Sequence, residues 1–244
     1  MSKVDTISIK EKILQIDPKR WWGDDFDVRF FLISKLNKIN KKIILDVGGG
    51  IGIISGELNN DNIKINLDRS ISDLKKCKIH TPEINNICAS ITHLPIKENS
   101  IDVVIGASVL EYAKSYDLKN NYQIKKKSTT IYPSIEKTLS NIYQSLKKDG
   151  KFFLTTPNNK YYKTEKIDYF ELKESISNNF NNFKIFFFNT HKVINKKYPK
   201  LNLTNVIPKL KSKIENREKI LNSLLKKDEG QNIHSVSFFV EGTK

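Results

Sequence analysis

The residues best suited to chemistry form a short run from Ile43 to Gly52, with the sequence IILDVGGGIG. Its apolar start is typical of a buried strand, and Asp46 is then followed by Gly48, Gly50 and Gly52. A turn built on glycine lets a ligand approach the backbone closely, because no Cβ atom obstructs it. An acidic side chain two residues before the first glycine suits a cationic ligand better than a pyrophosphate. The run therefore predicts a binding loop for a small ligand that carries positive charge.

Two common phosphate-binding loops do not fit this run. A dinucleotide loop of the G-x-G-x-x-G type would place its third glycine at position 53, which is Ile53. A phosphate loop of the Walker type ends in Gly-Lys-Ser/Thr, and no such ending is present. A second carboxylate, Asp68, closes the next apolar run and follows Asp46 by about 20 residues, the spacing at which an acid binds ribose hydroxyls in dinucleotide folds.

The elements that position these residues alternate between short β-rich runs and helical stretches. This alternation predicts an α/β fold with a doubly wound, mostly parallel, seven-stranded sheet covered by helices. The predicted strands are 42–47, 63–67, 84–88, 101–107, 151–155, 183–188 and 234–240. The predicted helices are 27–38, 51–58, 134–148 and 168–180. The length of 244 residues suits one domain, 1–244, rather than two.

Two stretches are longer than such a domain requires. Residues 113–133 separate the fourth strand from its helix, and residues 191–232 separate the last two strands. Within the second stretch, an amphipathic helical spacing follows Pro208. Its apolar positions are Leu210, Ile214, Leu221, Leu224 and Leu225. Such a helix either packs on the sheet or binds a partner or a membrane surface.

The run 43–52 resembles the first motif of the class I S-adenosylmethionine-dependent methyltransferases, which is apolar-apolar-Asp/Glu-apolar-Gly-x-Gly-x-Gly. The similarity covers most of residues 43–158. SITHLPIKENSIDVVIGASVLEY, from Ser90 to Tyr112, resembles the family stretch that leads through Leu-Pro to the fourth strand. SLKKDGKFFLTTPN, from Ser145 to Asn158, resembles the helix end, glycine turn and fifth strand. The resemblance implies a Rossmann-like methyltransferase fold and S-adenosyl-L-methionine as cofactor.

The resemblance also implies a role for individual residues. The amino-acid end of the cofactor would lie over 46–52, its ribose against Asp68, and its adenine near Ser90 and Ile91. The family often has Asp where Ser90 falls, and a hydroxyl accepts a hydrogen bond from the adenine amino group more weakly than a carboxylate does. Residues 42–112 would thus form the cofactor-binding half.

The acceptor would enter near Ser108, which we also assign to the cofactor site, and near Glu111 and Tyr112. Glu111 and Tyr112 are candidate catalytic residues that accept a proton or hold the substrate. Glu111 could instead be a carboxylate at the start of a helix that takes no part in the reaction. His93 is a candidate base or an exposed loop residue. The four histidines show no metal-ligand spacing, so no metal is predicted.

The N-terminal part, residues 1–41, is predicted to form a helical lid over the cofactor. Trp21 and Trp22 would belong to that lid or pack against the domain, and Arg29 could meet the cofactor carboxylate. The two cysteines match neither a disulfide framework nor a zinc site, which favours a reduced compartment. Without a signal-like start or a long apolar run, we expect a cytoplasmic protein without a transmembrane segment.

The formal charge of +15 is distributed unevenly. Residues 46–113 carry a net −3, residues 114–137 a net +4, and residues 191–229 a net +7. Only four of the 42 basic residues are Arg, the residue preferred for phosphate and base contacts, so the excess is weak evidence for nucleic-acid binding. The total charge is also what the composition of an AT-rich genome would give. If functional, the insertions 113–133 and 191–232 would favour an anionic acceptor.

The acceptor itself is left open by the sequence. Methyltransferases that modify base amines carry Asn/Asp-Pro-Pro-Tyr/Phe after the fourth strand, where this chain has ASVLEY, so nucleic acid is a disfavoured partner. The resemblance points to a small-molecule, lipid or glycan acceptor. The alternatives are an RNA or protein methyltransferase that uses its basic insertions, and a non-catalytic cofactor-binding protein. The oligomeric state and the acceptor atom are not determined.

Overall fold

The structure, a computed structural model, describes residues 25–125, 130–158, 167–188, 225–227 and 237–244. The described chain begins with α1 (Asp25–Leu36), β1 (Ile43–Val47), α2 (Ile53–Glu57), β2 (Ile63–Asp68), α3 (Ile71–His80) and β3 (Asn85–Cys88). It continues with β4 (Ile101–Ala107), α4 (Leu110–Lys119), β5 (Ile124–Lys125), β6 (Thr130–Ile131) and α5 (Pro133–Ser145). The last elements are β7 (Leu146–Pro157), α6 (Tyr169–Ser177), β8 (Asn182–Phe188), β9 (Leu225–Lys227) and β10 (Ser237–Thr243).

The main sheet has the strand order β3-β2-β1-β4-β7-β10-β8-β9. Strands β3, β2, β1, β4 and β7 pair in parallel, whereas β10 is antiparallel to both β7 and β8. The predicted doubly wound, mostly parallel fold is confirmed. One difference is an eighth strand, β9, which pairs antiparallel with β8 and lies within the predicted insertion 191–232.

Helices cover both faces of the sheet, and each face has its own core. Alternate residues of β1 divide between the two cores, with Leu45 and Val47 on one side and Ile44 on the other. The first core includes buried residues of α4, α5 and α6, and the second includes buried residues of α1 and α2. The strand order reverses between β1 and β4, and ligands of open α/β sheets bind at the carboxyl ends of the strands at such a point.

Two helices were not predicted, for a physical reason. Helix α3 buries only Leu74 and Cys77, so its apolar pattern is too sparse to indicate a helix. Helix α4 occupies the start of the predicted insertion 113–133, which is therefore a helix followed by the β5–β6 hairpin rather than one irregular loop.

Predicted helix ends were also wrong, and the helix predicted at 168–180 ends at Ser177. The helix predicted at 134–148 ends at Ser145, and β7 starts immediately after it. Leu146 pairs with Ile101 and Lys151 with Val103, so the intervening residues 147–150 bulge out of the strand. Leu225, an apolar position of the helical spacing after Pro208, lies in β9 opposite Phe188. The rest of that spacing lies outside the described residues, as do Trp21 and Trp22. None of the helices in the described part of the chain has the length and apolar character that a bilayer crossing needs.

Candidate functional site

A cavity of about 1260 Å³ opens at the carboxyl ends of β1, β2, β3 and β4. The loops that follow these strands line it together with α4 and the start of α5. Its lining consists of Arg29, residues 48–51, residues 68–70, Asp73, residues 89–93, residues 107–109, Tyr112, Ala113, Tyr116, Asp117, Tyr122, Pro133, Ser134 and Lys137. Most of the residues assigned to the site from the sequence therefore meet at one place in the fold.

The glycine loop presents its backbone to this cavity. Gly48, Gly50 and Gly52 all have positive φ angles, of 68°, 57° and 75°, which side chains with a Cβ atom rarely adopt. A Cβ atom on Gly48 would also lie 2.4 Å from Cγ1 of Val109. The Gly48 amide donates to the Leu67 carbonyl oxygen at 2.7 Å, which holds the loop against β2. Glycine is thus required for the turn and for the close packing of the loop.

Asp46 lies beneath the loop and does not line the cavity. It is 1% exposed, and its Oδ2 accepts a hydrogen bond from the Ser55 hydroxyl at 2.8 Å. A Cβ atom on Gly49 would lie 2.7 Å from the same oxygen. Oδ1 is buried without a hydrogen-bond partner among the described residues. Burial raises the pKa of Asp46 from 3.8 to about 6, against the opposing effects of the Ser55 hydrogen bond and the Arg29 charge.

Asp68, at the end of β2, is directed toward the glycine loop. Its Oδ2 accepts from the Gly50 amide at 3.0 Å, and its Oδ1 accepts from the Ser70 amide at 2.8 Å. An ionised carboxylate has about four acceptor positions, so each oxygen retains capacity for a further donor. A carboxylate fixed by two backbone amides at the wall of a cavity is well placed to accept from a pair of hydroxyls.

Ser90 and Ile91 line the cavity after β3. The Ser90 hydroxyl lies 2.8 Å from the Thr92 hydroxyl, which in turn lies 2.9 Å from Nδ1 of His93. The Ile91 carbonyl oxygen accepts from the Asn141 side chain at 3.3 Å, which ties this loop to α5. His93 therefore belongs to the loop that carries Ser90, and it lines the same cavity.

Ser108, Glu111 and Tyr112 follow β4 but do not all face the same way. Ser108 has a φ of 57° and donates its amide to the Thr155 carbonyl oxygen at 2.9 Å. Ser108 and Tyr112 line the cavity, whereas Glu111 does not. The Glu111 carboxylate instead accepts from the Thr156 hydroxyl at 3.4 Å, toward β7. Of the two residues assigned to catalysis from the sequence, the structure brings only Tyr112 into the cavity lining.

Sequence reasoning missed several residues of the cavity, among them Tyr116, Asp117, Tyr122 and Lys137. Tyr116 lies four residues after Tyr112, so both project from one face of α4. That spacing would have identified Tyr116 had α4 been predicted. Asp117 is fully buried and caps the start of α5, accepting from the Ser134 amide at 2.7 Å and from its hydroxyl at 2.6 Å.

Comparisons with known proteins relate part of the chain to methyltransferases. Residues 45–154 match the model of a family described as a methyltransferase domain. An uncharacterised protein of Methanocaldococcus jannaschii is 31% identical over 161 residues, which are 66% of this chain and 56% of that protein. The chain thus spans little more than half the length of this curated relative.

Solved structures with a similar fold include methyltransferases. A Thermotoga maritima S-adenosylmethionine-dependent methyltransferase, described as a possible histamine N-methyltransferase, has a TM-score of 0.57 at 14% identity, covering 98% of this chain and 100% of that one. Phosphoethanolamine N-methyltransferase 2 of Haemonchus contortus, in complex with S-adenosyl-L-methionine, has a TM-score of 0.55 at 14% identity, covering 98% of this chain and 57% of that one.

Proposed function

We propose that the chain is a class I S-adenosylmethionine-dependent methyltransferase that transfers the methyl group to a small-molecule, lipid or glycan acceptor carrying negative charge. The match of residues 45–154 to a methyltransferase-domain model and the fold shared with solved methyltransferases support this proposal. The observation that carries this proposal is the continuous cavity at the switch point of the sheet. Its lining includes the glycine loop and Asp68 as well as Tyr112 and Lys137. Cofactor and acceptor can therefore occupy the same cavity.

The residues present fit the cofactor of this family. Gly48, Gly49 and Gly50 line the cavity without a side chain, and Asp68 retains acceptor capacity for the two ribose hydroxyls. Asp46 places a buried carboxyl with an unpartnered oxygen beneath that loop, where its negative charge favours a cationic ligand. Ser90 and Ile91 line the part of the cavity that we assign to the adenine.

S-adenosylmethionine supplies, when bound, a methyl group that is activated by the positive charge on sulfur. The chain must then position an acceptor and receive its proton. Tyr112 is the candidate for contact with the acceptor, because its side chain lines the cavity next to Ser108. Glu111 is proposed as a positioning residue, since its hydrogen bond to Thr156 ties the first turn of α4 to β7.

Negative charge on the acceptor is proposed from the charges near the open end. Lys137 lines the cavity, and Lys125 is exposed on the β5–β6 hairpin. Lys126 and Lys127 lie outside the described residues, as does most of the segment 191–232, which we also propose to flank the acceptor. A cavity with lysines at its mouth concentrates an anion and gives a neutral molecule no such advantage.

The cofactor assignment is tested with Asp68→Asn. Asn cannot accept from both backbone amides, because its Nδ2 group would face the N–H of Gly50 or of Ser70. It also lacks the charge that strengthens a hydrogen bond to a hydroxyl. We expect S-adenosylhomocysteine to bind at least about tenfold more weakly in calorimetric titration.

Asp61→Asn, at an exposed aspartate before β2, is the matched control and should bind S-adenosylhomocysteine normally. Unchanged affinity in Asp68→Asn would refute the role of this carboxylate.

Catalysis is tested separately from binding. Formation of S-adenosylhomocysteine from S-adenosylmethionine, measured over a panel of anionic acceptors, is expected to identify at least one substrate. A protein that binds the cofactor without turnover on any acceptor would instead be a non-catalytic cofactor-binding protein.

A further inference from the structure

The open end of the cavity carries an unusual group of side chains, Tyr112, Tyr116 and Tyr122. They are 63%, 53% and 54% exposed, although all three line the cavity. Aromatic rings usually bury most of their surface, so three exposed rings at one site indicate a surface that meets a ligand. We call this group the tyrosine wall.

The tyrosine wall stands on a firmly held helix. The opposite face of α4 buries Leu110 in the core, and the buried Lys114 places Nζ 2.6 Å from Oε2 of Glu171 on α6. Asp117 fixes the end of α4 to the start of α5. The exposure of Tyr112 and Tyr116 is thus a consequence of a fixed helix orientation and not of a loosely packed helix.

The rings are arranged to contact a flat molecule. Tyr112 precedes Tyr116 by one helical turn, and the ring centroids of Tyr116 and Tyr122 are 6.2 Å apart with an angle of 59° between their planes. Tilted pairs of this kind are a favourable aromatic arrangement, and the wall leaves further ring surface open to the cavity.

The charge beside the tyrosine wall selects between anions and cations. Lys137 follows Ser134 by three residues on α5, so both face the cavity. Asp117 also lines the cavity, but it is fully buried and accepts from Ser134 with both oxygens, whereas Lys137 is exposed. An acidic group of a ligand can therefore reach the Lys137 ammonium more directly than an ammonium group can reach the Asp117 carboxylate.

We infer that the tyrosine wall and Lys137 bind a planar aromatic acid, with its ring against the tyrosines and its acidic group at Lys137. This inference rests on the proposed function and specifies its acceptor class. Tyr112, Tyr116 and Tyr122 would then determine specificity for ring shape, and Lys137 would determine specificity for charge.

The test measures binding of three probes to the whole chain saturated with S-adenosylhomocysteine. Naphthalene carboxylate has both ring and charge, decalin carboxylate has the charge on a saturated ring system, and naphthyl trimethylammonium has the ring with a positive charge. Calorimetry is applied to the unchanged chain, to Tyr112→Leu/Tyr116→Leu, to Lys137→Gln, and to the matched control Phe170→Leu. Phe170 is an equally exposed aromatic residue on α6, outside the cavity lining.

We expect naphthalene carboxylate to bind about tenfold more tightly than decalin carboxylate, which corresponds to favourable stacking on more than one ring. The double tyrosine variant should lose this preference, whereas Phe170→Leu should retain it. Lys137→Gln should lower the affinity for both carboxylate probes. Saturation with S-adenosylhomocysteine confirms that each variant is folded.

Equal affinity of the two carboxylates would overturn the inference. So would tightest binding of the ammonium probe, which would indicate a cation site, or absence of naphthalene carboxylate binding up to about 10 mM. In each of these cases S-adenosylhomocysteine still binds and the proposed function stands. If S-adenosylhomocysteine itself does not bind to the unchanged chain, the proposed function fails and the inference fails with it.

Discussion

At the scale of single residues, the site combines two carboxylates with different surroundings. Asp46 ends β1 in a buried position with one unpartnered oxygen, and burial raises its pKa to about 6. Asp68 ends the adjacent β2 at the cavity wall, where two backbone amides donate to it. The first carboxylate supplies charge from beneath the loop and the second supplies hydrogen-bond acceptors. This division explains why substitutions at the two positions should differ in their pH dependence.

We predict that cofactor affinity decreases as the pH falls through about 6, because Asp46 then becomes neutral and its attraction for a cationic ligand is lost. If only the ionised form binds, the decrease approaches tenfold per pH unit below that pKa. Titration of the cofactor by calorimetry between pH 8 and about pH 5 measures the effect. Asp46→Asn should bind more weakly at high pH and show a flat profile. An unchanged affinity of the original chain across this range would contradict the role of Asp46.

The stability of the ligand-free chain should have the opposite pH dependence. The pKa of Asp46 is raised in the folded state, so between its unfolded value of 3.8 and about 6 the folded chain holds a proton that the unfolded chain has released. The contribution of this group to stability is therefore present at low pH and is lost as the pH rises through that window.

At the scale of elements, the loop between β1 and α2 depends on packing against its neighbours. Gly48 fits against Val109 at the start of α4, and Gly52 fits against Cys77 on α3, with a hypothetical Cβ atom 2.4 Å from the nearest side-chain atom in each case. These contacts connect three elements that follow different strands. The loop is thus shaped from both sides by helices that the sequence pattern did not reveal.

We predict that Gly52→Ala destabilises the chain by about 3 kcal/mol, through the positive φ of 75° and the clash with the Cys77 sulfur. In a Cys77→Ala background the clash is removed and only the backbone strain remains, so the same substitution should cost about 1 kcal/mol. Urea unfolding of the four variants measures both values. An equal cost in the two backgrounds would show that the sulfur is not the obstructing atom.

At the scale of the whole molecule, the charge is distributed unevenly along the chain. Residues 46–113, which contain the glycine loop, carry a net −3, and residues 114–137, which contain Lys137, carry a net +4. The cavity lining itself is balanced, with the acidic residues Asp68, Asp73 and Asp117 and the basic residues Arg29, Arg69 and Lys137. The uneven charge of the two segments, rather than that of the lining, would favour a cationic cofactor and an anionic acceptor.

We predict that changing Lys125, Lys126 and Lys127 to Glu raises the KM of the acceptor about tenfold and leaves cofactor affinity nearly unchanged. The matched control changes Lys38, Lys41 and Lys42 to Glu, which alters the net charge equally near the amino end of β1. Steady-state kinetics at low and high salt separates the two variants, because the electrostatic effect should weaken as salt screens it. A KM that responds to neither the first variant nor salt would refute an electrostatic role.

The sequence by itself determined the parts of the protein that depend on local patterns. The apolar runs predicted the strands of the sheet, and the run from Asp46 to Gly52 together with Asp68 predicted a ligand site at the edge of the sheet where the cavity lies. These predictions follow from the chain because the carboxyl ends of parallel strands meet at one edge, whatever the remaining side chains do. Helices with strong apolar stripes, such as α5 and α6, were identified for the same reason.

Only the tertiary structure decided which side chains face the cavity. The orientation of α4 is set by the Lys114–Glu171 pair and by Asp117 on Ser134, contacts between residues far apart in the chain. That orientation brings Tyr112 and Tyr116 into the cavity and directs Glu111 toward Thr156. The burial of Asp46 likewise depends on Gly49 and Ser55 packing over it. Such contacts are absent from a linear pattern, because they arise from how distant elements pack against one another in three dimensions.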